Sequence, residues 1–470
     1  MREAKDINLI DFEERLVGLE FENPLVSVDG MFISQNDIHN FWTNFIEEGD
    51  EEDVDYLTQT LVGAKKKLAN GQFESLNTDT SVSHLEMSLL PQPDLNTAKK
   101  YFEEVIDKVL EVSKKLNFRL LGYGAIPNIK DVRILDYKTK KSLYAALSLR
   151  RHNVAMSITA HQTGVSIRAD EVVDVINTLQ ALSGAVTCLT ANSPIFEERV
   201  TPWKEIRLTN WRLFATSFTS EEELRVFPEM RKEPFKSIAD YFNYIWAGKM
   251  VLPVMREGQW VKTQEELSFK EYFSGKKWVA RDLLGNETIL VPSVGDINLA
   301  GICAWHDAKP HLTFANDKTS VEEFIQSLDN DNLEEYVNGK LVNCYVEYRI
   351  AATSPQGDEL ALPALTLGMI NNLEDAKNLV NKYSWEDWRT LRNTSYITAM
   401  ESKISEKSVI PVLEEMVSIA ESGLKKRNFG EEKYLEPMKK RISERKCPAD
   451  KCIEVFKKGG MESFLDFVSY

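Results

Sequence analysis

The stretch Val17-Gly18-Leu19-Glu20-Phe21-Glu22 constrains the fold most, because apolar and acidic residues alternate along it. Such alternation marks a strand with one buried face. Residues two apart on a strand point the same way, so Glu20 and Glu22 share a face about 7 Å apart, while Leu19 and Phe21 turn toward a core. Two carboxylates at that spacing repel, and one is pushed toward protonation unless a cation lies between them. Hard divalent cations such as Mg²⁺ take oxygen ligands of this kind together with substrate phosphates. A sheet edge guarded by charge would give the same pattern. The pair alone leaves both readings open.

At 470 residues the chain could hold two or three average domains. A hydrophobic fraction of 43% with 10% aromatics supports a sizeable core, and a net charge of −16 argues against a surface built for nucleic acid or anionic lipid. The five cysteines (Cys188, Cys303, Cys344, Cys447, Cys452) are odd in number and form no disulfide framework or zinc pattern. They read as reduced thiols of a cytoplasmic protein. No signal-type apolar stretch follows Met1, and the most apolar segment, Leu179 to Leu189, is too short to span a bilayer.

Along the chain, Gly49 to Asp53 reads as an acidic turn and Lys65 to Lys67 as a basic one. His84-Leu85-Glu86-Met87-Ser88 is a second alternating segment, after which Asp94 or Asn96 can cap a helix with Tyr101, Val105, Val109, Val112 and Leu116 on one face. Phe118 to Tyr123 reads as a strand, with Gly122 and Gly124 leaving room for close backbone approach. Met156 to Ile167, carrying His161, is another strand, and Ala169 to Leu189 is a helix. Ile238 to Trp246 and Ser268 to Gly275 are shorter helices. Trp305 to Leu312 reads as a loop with incidental His306 and His311, because Pro310 interrupts it. Asn343 to Ile350 alternates again and puts Glu347 and Arg349 on one face, as for an internal salt bridge or a site. Helices are expected at Leu362–Ile370, Leu373–Lys382, Trp385–Met400, Val409–Arg427 and Tyr434–Arg445. One α+β body results, with residues 1–371 as its main part and 372–470 as a helical part packed on it.

Several strand-like segments thus offer metal-competent or anion-binding side chains: Glu20 and Glu22, Glu86, His161, and Glu347 with Arg349. Their surroundings resemble the glutamate–cysteine ligase family, most nearly its plant-type and proteobacterial branch. Gly18-Leu19-Glu20-Phe21-Glu22 is similar to that family's G-x-E-x-E strand, and His84-Leu85-Glu86-Met87-Ser88 to its F-E-L-S segment. Leu121 to Pro127 resembles L-G-x-G-x-x-P, and Thr190-Ala191-Asn192-Ser193-Pro194-Ile195 resembles A-N-S-P-F. Arg207 and Trp211 fall at S-x-R-S-x-x-W, Ser268 to Lys276 at T-F-x-x-F-x-x-G-K, and Tyr345 to Arg349 at Y-M-E-M-R. Leu362-Pro363-Ala364 follows as L-P-A.

The resemblance implies a glutamine-synthetase-like curved antiparallel sheet with helices on its outer face. It also implies ATP- and Mg²⁺-dependent joining of the glutamate γ-carboxylate to cysteine through γ-glutamyl phosphate, in the glutathione pathway. Under it, Glu20, Glu22, Glu86, His161 and Glu347 are metal ligands. Arg349 holds phosphate, Arg207 pairs with a substrate carboxylate, and Gly122 and Gly124 join Arg349 at the nucleotide. A monomer or homodimer acting on small molecules, away from nucleic acid and membrane, is expected. Two departures bear on the acceptor: the family's Asn-x-Asp after the His161 position is Thr163-Gly164-Val165 here, and its Asp after E-x-R is Ala352. A same-fold ligase using another amine, or a catalytically silent relative with a regulatory role, are the alternatives.

Overall fold

Strand β1 (Val17–Ser27) lies inside the main sheet and sorts the rest of the chain around it. The computed structural model describes residues 15–55, 59–67, 73–79, 81–128, 157–209, 230–256, 259–282, 284–300, 304 and 306–470. Met156, Trp211, Cys303 and Trp305 lie outside the described residues. In chain order, β2 (Asp50–Val54), β3 (Leu61–Lys67), β4 (Phe73–Thr78), β5 (His84–Gln92), β6 (Phe118–Leu120) and β7 (His161–Ser166) come first. A short ribbon of β8 (Ile195–Phe196) and β9 (Arg199–Val200) follows. A separate sheet of β10 (Met250–Arg256), β11 (Gln259–Leu267), β12 (Trp278–Asp282) and β13 (Glu287–Leu290) comes next. The chain then returns to the main sheet with β14 (Ala308–Phe314) and β15 (Leu341–Tyr348). The main sheet runs β14-β15-β7-β1-β5-β4-β3-β2, with β6 also on β1, and its neighbouring strands are antiparallel. The protein is therefore α+β, built on curved antiparallel sheets, as the alternating segments suggested.

Pairing fixes which side chains share a face. Glu20 stands opposite Ser88 of β5 and Gln162 of β7, and Glu22 stands opposite Glu86. Glu347 of β15 stands opposite Gly164 of β7 and Lys309 of β14. The other face of β1 presents Val17, Leu19 and Phe21, all buried. Phe21 meets Phe102 edge-on at 5.2 Å. Phe102 belongs to the helix Leu95–Lys115, whose N-cap Asp94 accepts from the amides of Asn96 and Thr97. That helix buries Ala98, Phe102, Ile106, Val109 and Val112. Its inward stripe is thus one residue round from the expected Tyr101 and Val105.

The helix Val172–Thr190 is apolar almost all round because it is covered on all sides. With the preceding turn it spans 22 residues, long enough to cross a membrane, contrary to the shorter segment expected. Yet 83% of its apolar window is buried within the protein, the position of a core helix. The expected C-terminal helices appear at Ala361–Asn371, Leu373–Val380, Trp385–Thr398, Ile410–Arg427 and Glu436–Glu444. A further helix, Pro448–Val468, was not anticipated; Gly460 has a non-helical backbone within it. Its end returns to the sheet, where Gly122 N donates to Val468 O and Tyr470 N to Leu120 O.

Three expectations change here. The acidic and basic turns are paired strands, β2 and β3, with Asp50 opposite Lys66 and Glu51 opposite Lys65. Opposite charges across an edge ladder make strands out of sequences that look merely solvated. The expected strand Phe118–Tyr123 stops at Leu120. The Trp305–Leu312 loop is mostly strand β14, which tolerates Pro310 because it lies at the sheet's edge.

The helices Ala361–Asn371 and Ile410–Arg427 cross at Gly368 and Gly423. A Cβ on Gly423 would run into the Gly368 carbonyl oxygen. Gly423→Ala should therefore destabilise the protein by about 1–3 kcal/mol, seen as a lower denaturant midpoint. An unchanged midpoint would show that the crossing can spread at no cost.

Candidate active site

The polar face of β1, β5, β7 and β15 carries four buried or half-buried carboxylates, an arrangement that survives only if each has partners. Glu22 is the most tightly held. Its Oε2 accepts from Ala160 N at 2.7 Å and lies 3.2 Å from His84 Nε2, and its Oε1 accepts from Gln162 Nε2 at 2.9 Å. Burial works to raise its carboxyl, but His84, Arg207 and Arg349 outweigh burial and hold it below its ordinary value. Glu20 accepts from Gln162 Nε2 at 2.7 Å. Burial, then Glu347 and Glu86, push its carboxyl well above the usual range. Glu86 accepts from Ser88 Oγ at 2.8 Å and is also raised, by burial and then by Glu22.

Glu347 is tied at both oxygens, to Arg349 through Oε1 and to His311 Nε2 through Oε2 at 2.6 Å. Burial opposes its ionisation, but Arg349, His311 and Lys309 hold its carboxyl well below the usual range. Arg349 is held through its backbone. Its amide donates to Asp307 O at 2.8 Å, and its carbonyl accepts from Arg207 Nη2 at 2.8 Å. Arg207 also donates to Ile350 O at 3.2 Å, so it braces the turn after β15. Asp307 in turn makes a two-point buried pair with Arg392, at 2.8 and 3.0 Å.

The structure brings Glu20, Glu22, Glu86, Glu347 and Arg349 to one face. Oxygens of Glu20, Glu22 and Glu86 lie within 4.8 Å of one another, and Glu347 stands outside that group. Glu20 and Glu347 line a cavity of about 260 Å³ together with Gly18, Ser88, Gly164 and Tyr345. An all-oxygen set at this spacing suits a hard divalent cation. Gln162 Nε2 bridges Glu20 and Glu22, and its Oε1 is buried with no hydrogen-bond partner among the described residues.

His161 is not brought there. It stands opposite Phe21, stacks on that ring at 4.1 Å, and accepts from Ser354 N at 3.3 Å on the apolar side. Burial pushes it down to about 3, a neutral ring of the core. Strand phase is the reason: the next residue, Gln162, takes the polar face. Gly122 and Gly124 do not line the carboxylate cavity. A Cβ on Gly122 would sit 2.9 Å from Ser354 O and one on Gly124 2.6 Å from Ala352 Cβ, so they let the segment after Arg349 pack close. Asn192 clamps the same place, donating to Gly122 O and Thr353 O.

Sequence reasoning passed over His84, Asp79, Gln162 and Lys309, and it weighed His311 with His306 and Asp307 as a metal cluster but set all three aside as parts of a loop. The signal for His84 was present, since the period that places Glu86 on the face places His84 there too. Glu22, Asp79 and His84 form a second group whose ligand atoms lie within 4.8 Å of one another.

A curved antiparallel sheet with carboxylates on one face and helices on the other is the architecture of a group of ligases. The chain is similar in fold to the glutamate–cysteine ligase of Francisella tularensis in complex with AMP, with a TM-score of 0.56 at 13% identity over 99% of this chain and 89% of that chain. It is also similar to a bifunctional glutathione synthetase from Pasteurella multocida, with a TM-score of 0.51 at 11% identity over 99% of this chain and 54% of that chain. No curated protein matches it in sequence. The chain belongs to glutamate–cysteine ligase family 2, which it matches over residues 17–466. Membership makes it a carboxylate–amine ligase.

Glu20 is buried among like charges that push its carboxyl up, so Glu20→Gln should raise the unfolding midpoint of the metal-free protein. The gain should shrink when Mg²⁺ or Mn²⁺ is added, because the cation stabilises the wild type more. Thermal unfolding in chelator and in metal checks this. A less stable Glu20→Gln in chelator would mean that the carboxylate has a compensating partner.

Proposed function

We propose that the protein joins the γ-carboxylate of glutamate to the amine of cysteine at the expense of ATP, giving γ-glutamylcysteine in the cytoplasm. The observation that carries this reading is the gathering of Glu20, Glu22, Glu86, Glu347 and Arg349 on one face. Family membership and the AMP held by the Francisella tularensis enzyme agree with an adenine nucleotide as substrate. Glu20, Glu22 and Glu86, with Glu347 beside them, would hold Mg²⁺, which when bound neutralises charge on phosphate oxygens.

A γ-carboxylate oxygen of glutamate attacks the terminal phosphorus of ATP and ADP leaves. The amine then attacks the acyl carbon of the γ-glutamyl phosphate and phosphate departs. Arg349 would stabilise charge on the transferring group, and its backbone is fixed by Asp307 and Arg207. On this reading residues 1–371 carry the chemistry and residues 372–470 brace it, since Arg392 pins Asp307.

A second reading, ligation to a different amine, is favoured by Ala352. The family it resembles carries a carboxylate there, whereas Ala352 is a buried methyl packed against Gly124, where an added Cβ would lie 2.6 Å from it.

Purified protein with ATP, Mg²⁺ and glutamate should release ADP and phosphate on addition of cysteine, with the dipeptide seen by mass spectrometry. Release only with another amine would favour the second reading, and no release with any acceptor would sink both. Glu347→Gln should lower turnover by about 100-fold or more, the scale of losing one transition-state electrostatic contact, with a near-native circular dichroism spectrum. Unchanged turnover would remove Glu347 from the site.

A further inference from the structure

Strand β14 adds an unexpected layer to the site. It pairs with β15 so that His311 stands opposite Tyr345 and Lys309 opposite Glu347. His311 and Tyr345 rings stack at 4.4 Å with planes 5° apart. That stack fixes the imidazole, and its Nε2 then reaches diagonally across the ladder to Glu347 Oε2 at 2.6 Å. An ionised carboxylate only accepts, so Nε2 carries the hydrogen. Each carboxylate oxygen has two lone pairs. Arg349 and His311 therefore take one on each oxygen of Glu347 and leave one on each for a ligand.

We propose that His311 is a positioning residue for the metal site: its stacked ring and single hydrogen bond hold the Glu347 carboxylate in the orientation that a divalent cation requires. This rests on the reading of Glu347 as a metal ligand given above. Without the donor, Glu347 could rotate about its last torsion, which is soft at an sp³–sp² bond. Arg349 alone would then follow it rather than fix it. Partners of this kind typically change metal affinity by about 10- to 100-fold. Lys309, buried beside Glu347, adds charge but sits directly across the ladder and not on the ring.

Mn²⁺ binding to nucleotide-free protein, followed by the electron paramagnetic resonance signal of free Mn²⁺, separates the possibilities. His311→Phe keeps a ring over Tyr345 and loses only the donor. It should bind Mn²⁺ about 10- to 100-fold more weakly, with an unfolding midpoint close to that of wild type. His311→Gln, which restores a donor without the ring, should recover part of that loss. Should His311→Phe fail to fold, His311→Leu compared with His311→Gln gives the same contrast between no donor and donor. Wild-type Mn²⁺ affinity in the donor-less variant, alongside weakened affinity in Glu347→Gln, overturns the role of His311 alone. Equal losses in the donor-less and Gln variants also overturn it, since the hydrogen bond would not be what counts. Unweakened affinity in Glu347→Gln overturns the metal reading of Glu347, and with it this role.

Discussion

Everything at the site depends on the register of β1 between β5 and β7. Because each strand's side chains alternate, one register puts Glu20 and Glu22 against Glu86, Ser88 and Gln162, and Phe21 against the helices. A slip of one residue would drive both carboxylates into the core and Phe21 into water. The apolar half of the strand thus enforces the polar half: burying Phe21 is worth about 1.5–3 kcal/mol, and that gain exists only when the acids face the cavity. Packing and chemistry are two sides of one strand.

The face divides its four carboxylates into two kinds. Glu22 and Glu347 have cationic or polar protein partners that hold them ionised, through His84 and Gln162 for the first and Arg349 and His311 for the second. Glu20 and Glu86 are raised by burial and then by nearby carboxylates, Glu347 and Glu86 for the first and Glu22 for the second. Environments that push like groups apart are how a single fold assigns them different tasks. The sheet fixes the first pair and leaves the second in want of positive charge.

Strands β1, β5, β6, β7 and β15 and the C-terminal helices from Ala361 to Glu444 were legible because period carries that information. The alternation at Val17–Glu22, His84–Ser88 and Tyr345–Arg349 put Glu20, Glu22, Glu86, Glu347 and Arg349 on the outward face that the strands share. What failed was phase and partnership. His161 and Gln162 are adjacent, and only the pairing with Phe21 and Glu20 says which of them meets the carboxylates. Pro310 argued against a strand, yet an edge position needs no amide there. Asp50 to Asp53 and Lys65 to Lys67 looked solvated until their cross-strand pairing was seen. The sheet of β10 to β13 went unread because its first strand, β10, is an apolar run with Pro253 inside it and shows no alternation, and the hold of the Arg207 guanidinium on the carbonyls of Arg349 and Ile350 left no mark in the sequence.

The two strands that flank β1 are remote in sequence: β5 begins at His84 and β7 at His161. During synthesis, at about 5–20 residues per second, β1 waits on the order of tens of seconds for its full set of partners. Over that interval a purely apolar strand would be an invitation to pair with another nascent chain. Glu20 and Glu22 remove the invitation, since charges at alternate positions act as gatekeepers against edge-to-edge aggregation. The acids that face the cavity in the finished enzyme thus protect the unfinished one.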